Sequence, residues 1–118
     1  MRVVLDTNAL LMPFEFRINI DTELRRLLGN PEIYIPSCVI GELNRLSKKR
    51  WEGKAALQLA RKYNIIEVSM LGDSGVIEAG KKLGAYVVTN DRNLIEKLKK
   101  EGIKIVTLSN HHLVIENE

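Results

Sequence analysis

Short apolar runs alternate with stretches of helical period along almost the whole chain, and few folds accept that order. The runs are Arg2–Leu5, Ile33–Ile35, Ile65–Val68, Tyr86–Thr89 and Ile103–Leu108. The first, Val3-Val4-Leu5, is a continuous apolar run, the pattern of a strand covered on both faces. Between the runs, apolar residues recur at helical spacing. Residues 19–29 carry Ile20, Leu24, Leu27 and Leu28 before Gly29-Asn30-Pro31. Ser37 is placed to cap a helix bearing Val39, Ile40, Leu43 and Leu46. Trp51-Glu52-Gly53 reads as a break, and a further helix runs to Tyr63 with Ala55, Ala56 and Leu59 inward. Helices from Gly72 (Val76, Ile77, Gly80, Leu83) and Asp91 (Leu94, Ile95, Leu98) end at Gly84 and Gly102. Strands joined by helices imply parallel pairing, and right-handed crossovers put helices on both faces. The expectation is a three-layer α/β/α sandwich with a mainly parallel sheet, residues 1–118 forming one domain. Residues 109–118 are left as a C-terminal tail.

The chain has 118 residues, 45% apolar and 28% charged, a globular balance that excludes a disordered protein. No apolar run approaches the ~18 residues of a membrane helix, so no membrane partner is expected. The opening Met1–Leu5 run meets Asp6 too early for a secretory leader. One cysteine, Cys38, rules out an intrachain disulfide and suggests a reducing cytoplasm. With no placed histidine partner, Cys38 is read as a core residue.

In open parallel sheets, ligands bind beyond the carboxyl ends of the strands. Asp6 and Asp91 each follow an apolar run, and Asp73 opens a helix on the same rim. Glu42 lies about 80° from the centre of its helix's apolar face, at the edge of the buried stripe. Singly, each acid has an ordinary reading as a helix cap, an Asx-turn or a surface pair with Arg45. Together they map to one rim. Four converging carboxylates repel unless a cation neutralises them, and hard oxygen donors select Mg²⁺ or Mn²⁺. With those four set aside, eleven acids remain against 18 Lys and Arg, an excess of seven positive charges. A negative pocket on a positive body suits a phosphodiester chain. The densest basic stretch, Arg45, Lys48, Lys49, Arg50 and Lys54 around Trp51, reads either as a solvated helix end or as charge and a stacking face for single-stranded nucleic acid. Arg92, beside Asp91, is a further candidate contact.

The ordered set resembles the PIN-domain ribonucleases. The matching residues are Asp6-Thr7-Asn8 ending the first strand, Glu42-Leu43 after the second, and Asp73 at a helix start. Thr89-Asn90-Asp91 ends a later strand, with Leu94 behind it. The resemblance spans the first strand to Leu108. It implies a five-stranded parallel sheet and RNA hydrolysis dependent on one or two Mg²⁺ or Mn²⁺ ions, leaving 5′-phosphate and 3′-hydroxyl ends. Asp6 and Asp91 would be direct ligands, Asp73 would complete the set, and Glu42 would act through water. Thr7, Asn8, Thr89 and Asn90 would orient the carboxylates or a water. A homodimer is also implied. Two settings compete: a VapC-type toxin restrained by an antitoxin, and a relative of the ribosomal-RNA-processing PIN nucleases, with a ribosome-assembly partner. The segment Ile35–Leu43 and the 31-residue interval from Glu42 to Asp73 favour the second.

Rival classes lack residues they need. A receiver-type signalling module wants paired acids after the first strand and a lysine after the last; here Thr7 follows Asp6, and the last strand runs into Thr107–Asn110. An aspartate-nucleophile phosphatase wants an acid where Asn8 stands. A non-catalytic RNA-binding scaffold would tolerate losses among the four acids, and all four are present.

Overall fold

A computed structural model of the chain describes residues 1–116. Its elements run β1 (Arg2–Leu5), α1 (Thr7–Phe16), α2 (Ile20–Leu28), β2 (Glu32–Pro36), α3 (Ser37–Ser47), α4 (Trp51–Ala60), β3 (Asn64–Ile66), α5 (Gly72–Leu83), β4 (Tyr86–Val88), α6 (Arg92–Lys100), β5 (Ile105–Ser109) and β6 (His112–Ile115). The strands form one sheet in the order β3-β2-β1-β4-β5-β6. Every pairing is parallel except that of β5 with β6. From β1 the chain steps outward through β2 to β3, then returns to the other side of β1 with β4. That reversal opens a crevice at the carboxyl ends of β1 and β4.

The α/β/α expectation holds, and the central strands show why their sequences do not alternate. Val3, Val4, Leu5, Val87, Val88, Ile105 and Val106 are all fully buried, because helices cover both faces of the sheet. Gly80 lets α5 lie close to the sheet: a Cβ there would stand 3.1 Å from Val87 Cγ2.

Several local expectations need correction. The sheet has six strands, not five. The segment from 109, expected as a tail, forms the β5–β6 hairpin, with its last two residues, Asn117 and Glu118, outside the described residues. Helix α1 carries no apolar period, since Ala9, Leu10, Leu11 and Met12 are all buried, and it contains Pro13, which reads as a breaker. Trp51 starts α4 rather than marking a break. Pro36 holds the N-cap position of α3, and the Ser37 hydroxyl instead accepts from the Val68 N–H at 3.0 Å.

At the β6 edge, two side chains of α2 stand in for a missing strand. Glu23 accepts from the Leu113 N–H at 2.8 Å, and Arg26 donates to the Leu113 carbonyl at 2.6 Å. This blocks the edge against pairing with another chain. Burial would raise the Glu23 carboxyl, but bonds from Leu113, Arg26 and His112 outweigh it and hold it below its usual range. Glu23→Ala is expected to cost about 1 kcal/mol and to expose the Leu113 amide, read by urea unfolding and by hydrogen exchange at that amide.

Candidate active site

Sheet order alone brings the four acids to one place. Asp6, Glu42, Asp73 and Asp91 all line a pocket of about 290 Å³ at the carboxyl ends of β1 and β4, with Thr7, Asn8 and Arg45. Leu11, Val39, Leu71, Val76 and Leu94 form its apolar wall. Each acid comes from a different element. Asp6 ends β1 and caps α1, its Oδ1 accepting from the Ala9 N–H at 2.7 Å. Asp91 caps α6, its Oδ1 accepting from the Asn93 and Leu94 N–H groups at 3.0 and 3.3 Å. Both carboxylates therefore keep one oxygen outside the capping bonds. Asp73 lies second in α5, not at its cap, which is Leu71. Glu42 projects from α3, exposed at the pocket rim.

The residues around Asp6 and Asp91 are tied across the β1–β4 junction. The buried Thr89 hydroxyl bonds Asp6 and accepts from the Asp91 N–H at 3.0 Å. Asn8 accepts from the Asn90 N–H at 2.8 Å. Asn90 in turn clasps β5, accepting from Leu108 N–H and donating to Leu108 O. The dipeptides that carry the resemblance are thus also the joints that set the two aspartates side by side. Thr7 lines the pocket at the first position of α1.

Asp6 is 5% exposed. Burial pushes its carboxyl from 3.8 up to about 7; the bonds from Thr89 and Ala9 oppose this, and the charges of Asp91 and Asp73 add to it. The folded protein therefore holds a proton that the unfolded chain has released. Stability from this group is fully present below about pH 4 and is lost as pH rises through about 7. The expected loss is on the order of 4 kcal/mol between those limits. Urea unfolding of wild type and Asp6→Asn at pH 5 and pH 8 isolates it, since the variant lacks the slope.

The acids share a pocket without forming a closed cage: among the described residues, no three His, Cys, Asp or Glu groups are drawn together for an ion. Like charges repel, and three of the four carboxylates already serve a partner. Asp73 pairs with Lys97 of α6 at 3.1 Å. Lys97 was not legible as a pocket neighbour, because nothing local in sequence relates positions 73 and 97. Glu78 was missed for the same reason. It accepts from the Ser69 and Met70 N–H groups at 3.0 Å and so holds the loop that delivers Asp73.

The expected RNA contacts divide. Arg45 lines the pocket from α3, Lys48 and Lys49 are exposed in the turn that follows it, and Lys54 is exposed on α4. Trp51 is 64% exposed, its ring nearly perpendicular to that of Phe14 with centroids 6.3 Å apart. Arg50 and Arg92 are instead tied to protein carboxylates, Arg50 to Glu15 at 3.1 Å and Arg92 to Glu116 at 3.4 Å. Cys38 lies at the pocket wall rather than in the core, and burial pushes its thiol up, with Glu42 and Glu78 adding to the rise.

A mostly parallel sheet flanked by helices, with carboxylates gathered at its β1–β4 switch point, defines a PIN-like α/β domain. The sequence matches the family described as PIN like domain over residues 3–111, and the chain belongs to that family. It is 31% identical to Ribonuclease VapC9 of Archaeoglobus fulgidus over 107 residues, covering 86% of this chain and 78% of that protein. It is 32% identical to Ribonuclease VapC4 of Methanocaldococcus jannaschii over 117 residues, covering 91% and 89%. Among solved structures, the PIN domain endonuclease Utp24 superposes with a TM-score of 0.87 at 25% identity, covering 99% of this chain and 92% of that one.

Proposed function

We propose that this chain is a divalent-cation-dependent ribonuclease that hydrolyses phosphodiester bonds in RNA. The observation that carries the reading is the single pocket lined by Asp6, Glu42, Asp73 and Asp91. The names of the two VapC ribonucleases and of the Utp24 endonuclease support it.

The donor set fits Mg²⁺ or Mn²⁺, since it is all carboxylate oxygen. Among the described residues no cation pairs with Asp6, so this buried acid either keeps its proton or gains a counter-ion. Asp6 and Asp91 would hold one or two ions directly, Asp73 would complete the set, and Glu42 would act through water. When bound, such an ion lowers the pKa of a water and offsets charge on the phosphoryl oxygens. The chain's own residues hold everything else in place. Thr89 and Ala9 fix the Asp6 carboxylate, and the α6 N-terminus fixes Asp91. Arg45 at the rim, with Lys48, Lys49 and Lys54 beyond it, neutralises phosphates flanking the cut, and Trp51 offers a face to a base.

The test is incubation of the purified protein with end-labelled single-stranded RNA. Cleavage is expected with Mn²⁺ or Mg²⁺ and none in EDTA, with 3′-hydroxyl ends on the products. Cleavage undiminished by EDTA overturns the reading. A VapC-type toxin role is a second reading, favoured by the two relatives named VapC. It is checked by inducing the protein in a bacterial host and comparing growth with that of Asp6→Asn. The ribosomal-RNA-processing setting is supported by the 35–43 segment and the Glu42–Asp73 interval.

A further inference from the structure

Of the four pocket acids, Asp73 alone has its charge met by a cation among the described residues: Lys97 Nζ stands 3.1 Å from Asp73 Oδ2. Asp6, Glu42 and Asp91 form no ion pair there. Lys97 reaches across from α6, the helix that Asp91 caps, so the pair spans the two elements carrying the last two acids. Its side chain is 56% exposed, on a flexible four-carbon stem. An exposed pair of this kind is weak, and little resists moving the ammonium away. A divalent ion on the same carboxylate competes with this ammonium, either by taking Oδ2 from it or, when held by Oδ1, by repelling the like charge a few ångströms away.

We propose that Lys97 is an exchangeable counter-ion of Asp73, displaced when a divalent cation takes that carboxylate and thereby freed to hold a phosphate of the RNA. This rests on the divalent-ion reading above and assigns Lys97 a positioning role within it. The exchange couples loading of the pocket to substrate binding. The positive charge that neutralises Asp73 becomes available to a phosphodiester when the cation arrives. Arg45, which lines the pocket from α3, and Lys97, beside Asp73 from α6, are then two cations from different helices available to the nucleic acid.

The experiment is a double-mutant cycle on Mn²⁺ affinity, measured by calorimetry without RNA. Lys97→Gln is expected to tighten Mn²⁺ binding about threefold to tenfold. In an Asp73→Asn background the same change is expected to do nothing, because there is no carboxylate to release. In cleavage assays Lys97→Gln is expected to raise KM by a similar factor and leave kcat within about twofold. Unchanged Mn²⁺ affinity in Lys97→Gln overturns the exchange. So does an equal gain in the Asp73→Asn background, which marks a general charge effect. An unchanged KM overturns the phosphate role. In either case the divalent-ion reading survives, whereas a wild-type protein that binds no Mn²⁺ at all overturns both.

Discussion

Asp6→Asn is expected to abolish RNA cleavage, by at least about a hundredfold, while making the protein more stable than wild type at pH 8. The two effects have opposite signs for one reason. At pH 8 the Asp6 carboxylate is ionised inside the fold, where burial and the Asp91 and Asp73 charges oppose ionisation. Asparagine removes the charge and keeps an oxygen able to accept from the Ala9 N–H. Its amide also faces the Thr89 hydroxyl, which can rotate to accept. The fold gains, and the pocket loses an anionic donor that a cation needs. Paired measurements of cleavage rate and urea midpoint at pH 8 check this. A variant that cuts like wild type would point to a contaminating nuclease and would remove Asp6 from the chemistry.

Gly75→Ala is expected to destabilise the protein by about 1–3 kcal/mol and to depress cleavage at the same time. A Cβ at this position would lie 2.5 Å from both Cys38 Sγ and the Met70 carbonyl oxygen. The cysteine side chain has some room to turn, but the Met70 carbonyl is backbone, held in a loop by Glu78. Relief therefore requires α5 to shift against α3 and that loop, and Asp73 sits two residues before Gly75 on the moving helix. Gly41→Ala is the matched control: an added Cβ there meets only Arg45 Nη1 at 3.8 Å. Thermal unfolding and cleavage rate are the measurements. Normal stability in Gly75→Ala would mean that the α3–α5 contact is looser than the structure shows.

Much of the architecture was legible because local chemistry dictated it. Fully buried strands had to read as unbroken apolar runs, and Asp91 had to sit where a helix N-terminus offers free N–H groups. Helix α1 escaped because its apolar residues face inward on nearly every side and Pro13 interrupts it. Strand β6 escaped because its outer edge is satisfied by Glu23 and Arg26, about ninety residues away. Arg50 and Arg92 looked like free cations because their partners, Glu15 and Glu116, lie far off in sequence.

By itself the sequence determined the chemistry on offer: three aspartates at the ends of strands or starts of helices and Glu42 at the edge of a helix's apolar face, on a chain otherwise rich in positive charge. Only the tertiary structure decided which of them is buried and protonated near neutrality, which is exposed at the rim, and which is held by a lysine. Those outcomes depend on desolvation and on distances between side chains far apart along the chain. Both are set by the order of strands in the sheet, which no local pattern of residues encodes.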